Sequence, residues 1–181
     1  DKELIYKGMR ISLFCPRCST PVSNFEIAMD NSYADREDTA ITMKFEVTDD
    51  EFIKKYQLTK PCYLLAWTTT PWSSVSVMGL AINEDFRYSL LETTDALFIV
   101  ASKRVEAVLG GQEYGVVAEF DGKDVSGIKY RHLFNYYDKQ FTDFKTYPTD
   151  YVSEEEGTGI VTINGAFGDV DMESAKKFKL P

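Results

Sequence analysis

The sequence has no apolar run long enough to cross a membrane and few basic residues. A bilayer-spanning helix needs roughly 18 consecutive apolar residues, so we predict no membrane segment. Lys and Arg number 20 against 29 Asp and Glu, which gives a net charge of −9. This balance excludes a chain that holds nucleic acid mainly by neutralising phosphates, and we expect any such contact to be local.

Histidine and cysteine are also sparse. The three cysteines, odd in number and spaced unlike a disulfide framework, favour a reducing compartment, and we expect a cytoplasmic location. Cys15 and Cys18 form a Cys-x-x-Cys turn that could supply two of the four ligands of a zinc site. Cys62 stands alone in an apolar run, and the single histidine, His132, is interpreted as structural or surface. The chain therefore holds at most half a site, and a reduced thiol pair on a surface turn is the alternative.

The 181 residues are enough for one sizeable core, and we predict a single domain over residues 1–181. Residues 40–47 alternate with period two, which places Ile41, Met43, Phe45 and Val47 on the core face of a strand. Further strands are predicted over residues 9–14, 78–82, 86–91, 96–101, 114–120 and 160–163. Helices are predicted over residues 49–58, 102–109 (capped by Ser102) and 172–180. We expect an α+β fold with a β-barrel-like mixed sheet and short peripheral helices.

Three threonines and a proline lie between the only two tryptophans, where an apolar run ends. Hydroxyls at a strand end donate and accept hydrogen bonds, and Pro71 cannot continue a sheet ladder. The stretch from Trp67 to Trp72 is therefore predicted to form one lip of a polar pocket. The alternative interpretation is that the three threonines are ordinary β-branched residues of a strand, with no binding role.

A second lip is predicted at Gly157-Thr158-Gly159, where two glycines allow close backbone approach ahead of a buried strand. Asp169 and Asp171 follow at the start of the last predicted helix. The helix dipole favours carboxylates there, so simple capping is the alternative to a ligand-binding role.

Taken in order, these motifs resemble the editing domain of isoleucyl-tRNA synthetase. The residues that carry the resemblance are Trp67-Thr68-Thr69-Thr70-Pro71-Trp72, Ala81-Ile82-Asn83, Gly157-Thr158-Gly159-Ile160-Val161, Ala166-Phe167-Gly168 and Asp171. Residues 15–23 and 127–134 resemble connecting segments of the same family, and we interpret residues 1–25 as such a segment. Valyl enzymes are the second resemblance, but the Cys-x-x-Cys turn favours the isoleucyl family.

The resemblance implies a module of a larger synthetase that hydrolyses valine mischarged onto isoleucine tRNA. One methylene gives a synthetic site discrimination of only about 100-fold, so a second sieve is needed. Thr68, Thr69 and Thr70 would bind the terminal adenosine and the aminoacyl group, and Asp171 would hold the α-ammonium; these four are the candidate catalytic residues. The full binding set implied is Trp67, Thr68, Thr69, Thr70, Ser73, Val77, Gly157, Thr158, Gly159, Thr162, Phe167 and Asp171.

Editing of this kind implies no metal or covalent nucleophile, and zinc at Cys15 and Cys18 is expected only with ligands outside this chain. The partners implied are the aminoacylated 3′ end of tRNA, or an aminoacyl-adenosine ligand, and the remainder of the synthetase. We expect a monomer and no membrane partner.

Two stretches depart from the family pattern. Val77 stands where the family has Asn, and Thr162 stands where it has His, followed by Asn164-Gly165 in place of Ala-Pro. The family Asn and His support hydrolysis, and the His also helps to exclude isoleucine. We therefore predict weakened or lost hydrolysis and a wider pocket, through natural loss or deliberate remodelling. A non-catalytic or remodelled binding module and a purely structural docking module are the alternatives.

Overall fold

The computed structural model describes residues 4–136 and 139–181, so the first three residues of the predicted connecting segment lie outside the description. The strands are β1 (Phe14–Cys15), β2 (Thr20–Pro21), β3 (Ile41–Glu46), β4 (Cys62–Thr68), β5 (Gly79–Ile82), β6 (Arg87–Glu92), β7 (Leu97–Ala101), β8 (Gly115–Asp121), β9 (Thr146–Pro148) and β10 (Val161–Ile163). The α-helices are α1 (Asn24–Ile27), α2 (Asp50–Lys55), α3 (Val105–Leu109), α4 (Gly122–Val125) and α5 (Asp169–Phe178). Pro71–Ser76 and Ser102–Arg104 form 3-10 helices.

The main sheet is arranged around β4. One edge of β4 pairs antiparallel with β3 along the length of both strands. On the other edge, the first half of β4 pairs parallel with β7, and Trp67 near its end pairs parallel with Val161 of β10. The sheet therefore branches along this edge of β4, where β7, β6 and β8 continue from its first half and β10, β5 and β9 continue from its end. The result is the predicted mixed sheet, curled into a half-barrel with short helices around it.

Burial explains the sequence patterns of the two best-defined strands. β4 has neighbours on both edges, and most of its side chains are buried, which is why its sequence is an almost continuous apolar run. β3 has one buried face, carrying Met43 and Phe45, and its sequence alternates accordingly. Both strands were predicted at these places. Together with β5, β6 and β7 they contribute most of the main apolar core.

Two local predictions were wrong. Residues 9–13 form no strand, and only Phe14 belongs to one, because Met9 and Leu13 are exposed and the stretch has no sheet partner among the described residues. Ser102 does not cap a helix: its hydroxyl pairs with the Ser89 hydroxyl at 2.7 Å, and Arg104 is the residue preceding α3.

The Cys-x-x-Cys turn is present as predicted. β1 and β2 form a two-stranded antiparallel hairpin with Cys15 and Cys18 at its turn. Separately, every helix within residues 4–136 and 139–181 is too short or too polar to cross a membrane.

Candidate functional site

A cleft of about 390 Å³ opens between the ends of β4 and β10 and the start of α5. The parallel pairing of Trp67 with Val161 brings the Thr-rich stretch beside residues that lie almost a hundred positions later in the chain. The lining residues are Trp67, Thr68, Thr69, Thr70, Trp72, Ser73, Val161, Thr162, Asn164, Phe167 and Asp171. Of the predicted binding residues, eight line this cleft: Trp67, Thr68, Thr69, Thr70, Ser73, Thr162, Phe167 and Asp171.

Hydroxyl groups hold the first lip in a defined shape. The Thr68 hydroxyl accepts from the Thr70 amide at 3.0 Å and lies 3.1 Å from the Thr70 hydroxyl. The Thr70 hydroxyl in turn lies 3.0 Å from that of Ser73, which also donates to the Thr70 carbonyl at 2.7 Å. Pro71 begins a 3-10 helix, so the chain leaves the sheet there as predicted. Thr69 and Thr70 remain exposed at the cleft, whereas Thr68 is buried.

Asn164 organises the second wall of the cleft. Its side-chain amide lies 3.0 Å from the Thr162 hydroxyl and 3.2 Å from the Ser76 hydroxyl. Its backbone N–H donates to Asp171 Oδ2 at 3.1 Å. One buried residue thus joins β10, the 3-10 helix of the first lip and the first turn of α5.

Asp171 contributes the negative charge of the cleft. Burial raises the pKa of its carboxyl above the ordinary aspartate value, while the N–H of Asn164 acts in the opposite direction. The side chain makes no capping hydrogen bond to its own helix among the described residues, so the simple capping role is not observed. The described lining includes no Lys or Arg, so the cleft suits a ligand with a cationic group better than a bare phosphate.

Four predicted binding residues lie outside the cleft. Val77 is fully buried in the main core, because the 3-10 helix before it turns its side chain inward. The loop formed by Gly157, Thr158 and Gly159 lies behind the cleft, where Gly157 packs against the lining residue Trp67. A Cβ at Gly157 would lie 3.0 Å from the Trp67 ring, and the Thr158 hydroxyl bonds to the backbone of its own loop. The prediction of a second lip at this motif is therefore corrected to a supporting loop.

Trp72, Val161 and Asn164 line the cleft but were absent from the predicted binding set. Trp72 was noted only as a flank, and 63% of its surface is exposed. Asn164 is a polar residue directly after a buried strand, which is the same signal that identified the threonines. His132 lies elsewhere, buried and packed against Phe144 at a ring-centroid distance of 4.8 Å, in agreement with a structural role.

The thiol pair offers two metal ligands. The Cys18 N–H donates to Cys15 Sγ at 3.4 Å, and this lowers the pKa of the Cys15 thiol. Cys62 lies in the core, where burial raises its pKa to about 12, so it stays protonated at neutral pH. Within the described residues, no three His, Cys, Asp or Glu side chains converge on a possible metal position. A tetrahedral zinc site needs four ligands, so zinc at this hairpin stays a prediction that requires ligands from outside the chain.

Comparison of the sequence with known proteins finds isoleucine–tRNA ligases. The enzyme of Clostridium tetani (strain Massachusetts / E88) is 37% identical over 181 residues, which cover 100% of this chain and 16% of that enzyme. The enzyme of Rickettsia canadensis (strain McKiel) is 35% identical over 176 residues, which cover 94% of this chain and 16% of the enzyme. The chain thus spans 16% of the length of these curated relatives. No protein-family model matches it.

Comparison of the structure finds editing domains. The crystal structure of GlLeuRS-CP1 has a TM-score of 0.65 and 19% identity, covering 77% of this chain and 60% of its own. The P. falciparum cytosolic leucyl-tRNA synthetase editing domain has a TM-score of 0.63 and 12% identity, covering 77% of this chain and 66% of its own. At these identities the likeness establishes the fold, which is that of the synthetase editing domain.

Proposed function

We propose that this chain is an editing domain of the isoleucyl-tRNA synthetase type and a deacylase for mischarged tRNA. The support is its fold and its match, over the whole of this chain, to a 16% stretch of an isoleucine–tRNA ligase. The substrate of this chain would be isoleucine tRNA carrying valine, which it hydrolyses more slowly than a site with His at position 162. Residues 1–181 of this chain would form one domain of a larger synthetase, which would be cytoplasmic and monomeric. Zinc at Cys15 and Cys18 would require two ligands from elsewhere in that enzyme.

One observation carries this proposal: the cleft combines the hydroxyls of Thr68, Thr69 and Thr70 with the carboxylate of Asp171. A charge-assisted contact between that carboxylate and the α-ammonium of the aminoacyl group would fix one end of the ligand. The exposed Thr69 and Thr70 hydroxyls would then contact the terminal adenosine and the ester. The chain has a net negative charge and few cationic side chains to contact the phosphates of tRNA, so we expect the rest of the synthetase to bind the tRNA backbone.

Hydrolysis in such a cleft needs a positioned water and donors that stabilise the developing oxyanion. In the first lip the hydroxyl protons of Thr68, Thr70 and Ser73 are used in hydrogen bonds within the lip, so Thr69 is the threonine that would donate to the oxyanion. The base-like group that the resemblance places at position 162 is absent, because Thr162 has no ionisable proton near neutral pH. This is why we expect slow hydrolysis rather than an efficient enzyme.

The test is deacylation of valyl-tRNA specific for isoleucine, by this chain and by the full synthetase that carries it. We expect release of valine above the uncatalysed rate, lost in Thr69→Ala and retained in the control Thr94→Ala. Thr94 is an exposed threonine in the turn after β6, outside the cleft. A rate equal to the uncatalysed one, in both the chain and the full enzyme, would favour the non-catalytic binding module. Failure to bind any aminoacyl-adenosine analogue would leave a structural docking role.

A further inference from the structure

The side-chain wall is a hydrogen-bonded network of Ser76, Thr162 and Asn164, in which Thr162 and Asn164 line the cleft and Ser76 contacts Asn164. Asn164 is only 4% exposed, yet it lines the cleft together with the half-buried Thr162. Its amide contacts both hydroxyls, at 3.0 Å for Thr162 and 3.2 Å for Ser76. A buried amide with two partners is a specific polar feature, which an apolar amino-acid side chain does not require.

We propose that this wall selects a β-hydroxy amino acid, of the threonine and serine class, over valine in the same cleft. The inference rests on the proposed function for the kind of ligand, an aminoacyl group on adenosine. Valine and threonine have nearly the same shape, so steric exclusion cannot separate them. A hydrogen-bonding wall can.

The network leaves Thr162 with unused hydrogen-bonding capacity towards the cleft. If the amide NH₂ of Asn164 points to Thr162, the Thr162 hydroxyl accepts that bond and keeps its own proton to donate. If the amide is turned over, Thr162 donates to it and keeps lone pairs to accept. In the second arrangement Ser76 donates to the Ser73 carbonyl at 2.9 Å and accepts from the amide. A ligand hydroxyl both donates and accepts, so it matches Thr162 in either arrangement.

The same residue also joins the two groups that the ligand would contact. Asn164 bonds to Thr162 through its side chain and to Asp171 through its backbone N–H. The carboxylate proposed to hold the α-ammonium and the hydroxyl proposed to meet the side chain therefore share one hydrogen-bond partner. In an α-amino acid the ammonium nitrogen and a β-hydroxyl are also separated by only a few bonds. An aminoacyl group anchored on Asp171 thus presents its β-carbon substituents to Thr162.

Valine in this position would cover the Thr162 hydroxyl with methyl groups and leave unmet the hydrogen-bonding capacity that its bond to Asn164 does not use. Sites built to bond a hydroxyl discriminate strongly against analogues that lack it, because the buried partner loses its hydrogen bond. Thr162 is only half-buried, so water softens the penalty. We expect threonine to bind about 5- to 20-fold more tightly than valine.

The experiment compares non-hydrolysable, amide-linked aminoacyl-adenosine analogues carrying threonine, valine or isoleucine, by titration calorimetry with the intact chain. The preference for threonine over valine should disappear in Thr162→Val, which keeps the shape and removes the hydroxyl. It should fall partly in Ser76→Ala, and Thr94→Val should leave it unchanged. Circular dichroism melting curves check that each variant is folded.

Equal affinities for the threonine and valine analogues would overturn the inference, as would a preference that survives in folded Thr162→Val. Binding of neither analogue would also overturn it. The two proposals fail separately. If the chain prefers threonine but hydrolyses no aminoacyl-tRNA, the deacylase proposal is refuted and the selectivity proposal stands. If the chain hydrolyses aminoacyl-tRNA without preferring threonine, the deacylase proposal stands and the selectivity proposal is refuted.

Discussion

Replacing Asp171 by asparagine removes one charge from the cleft wall and preserves its shape. Asp171 Oδ2 accepts the backbone N–H of Asn164 at 3.1 Å, and an asparagine carbonyl oxygen can accept the same bond. The exposed Asp169, two residues earlier in the first turn of α5, offers a matched control in Asp169→Asn. It carries the same charge near the same helix end but does not line the cleft.

The two variants should differ in ligand affinity. A hydrogen bond to a charged group contributes about 1.5–3 kcal/mol, which corresponds to roughly a 10- to 150-fold change in the dissociation constant. We expect Asp171→Asn to weaken binding of an aminoacyl-adenosine analogue by that factor at neutral pH. Asp169→Asn should weaken it less than about threefold, as the effect of a distant, screened charge.

Although Asp171→Asn should weaken ligand binding, it should not lower the stability of the fold at neutral pH. Burial raises the pKa of the Asp171 carboxyl above its ordinary value of 3.8, so the folded state binds this proton more readily than the unfolded chain. The free energy of unfolding therefore falls as the pH rises from about that value through the folded pKa, and at neutral pH the ionised group destabilises the fold. Asp171→Asn removes this cost, so its melting temperature at neutral pH should equal or exceed that of the wild type.

Titration calorimetry measures the affinities, and thermal melting followed by circular dichroism measures the stabilities. Wild-type binding should also decline on acidification at a higher pH than an ordinary aspartate would give, because the α-ammonium needs the ionised carboxylate. A wild-type dissociation constant in Asp171→Asn would refute the assignment of Asp171 as the ammonium ligand. A large fall in its melting temperature would show instead that the charge is structural.

Two further predictions concern the support of the cleft and the departures from the family pattern. Tyr88→Phe removes a buried hydroxyl that donates to the Gly159 carbonyl at 2.8 Å. Urea titration should show that the free energy of unfolding falls by about 1–3 kcal/mol, and an unchanged urea midpoint would contradict this. Thr162→His should accelerate the hydrolysis of valyl-tRNA. Val77→Asn should leave the hydrolysis rate unchanged and lower the free energy of unfolding by about 1–3 kcal/mol, because it buries an amide in the core. A faster Val77→Asn enzyme would refute this placement.

Much of the fold followed from local patterns. The alternation of β3 and the apolar run of β4 each report how many faces of the strand are buried, so the sequence alone located both. The same reasoning failed at residues 9–13, which are apolar enough for a strand. A strand also needs a neighbour to pair with, and local composition carries no information about the absence of a partner.

The site could be predicted only in part. Trp67 and Val161 are paired through a parallel bridge, and such long-range pairing is not visible in either segment alone. The resemblance supplied the grouping of the threonines with Asp171. It did not reveal that the 3-10 helix after Pro71 would turn Val77 into the core. It named Asn164 only as a departure from the family pattern and not as a site residue, because the role of Asn164 depends on partners from three different elements.

This placement changes how the two departures are weighed. Since the Val77 side chain lies in the core, its substitution removes no donor from the cleft as the chain is folded here. Thr162 does line the cleft, and the amide of Asn164 is bonded to it rather than left to the ligand. The chemical difference is therefore concentrated on the wall formed by the end of β10. There Thr162 and Asn164 present neutral polar groups, which hydrogen-bond a ligand well but cannot take up a proton near neutral pH, where the resemblance implies a histidine. We therefore expect such a wall to favour recognition of the ligand over acceleration of its hydrolysis.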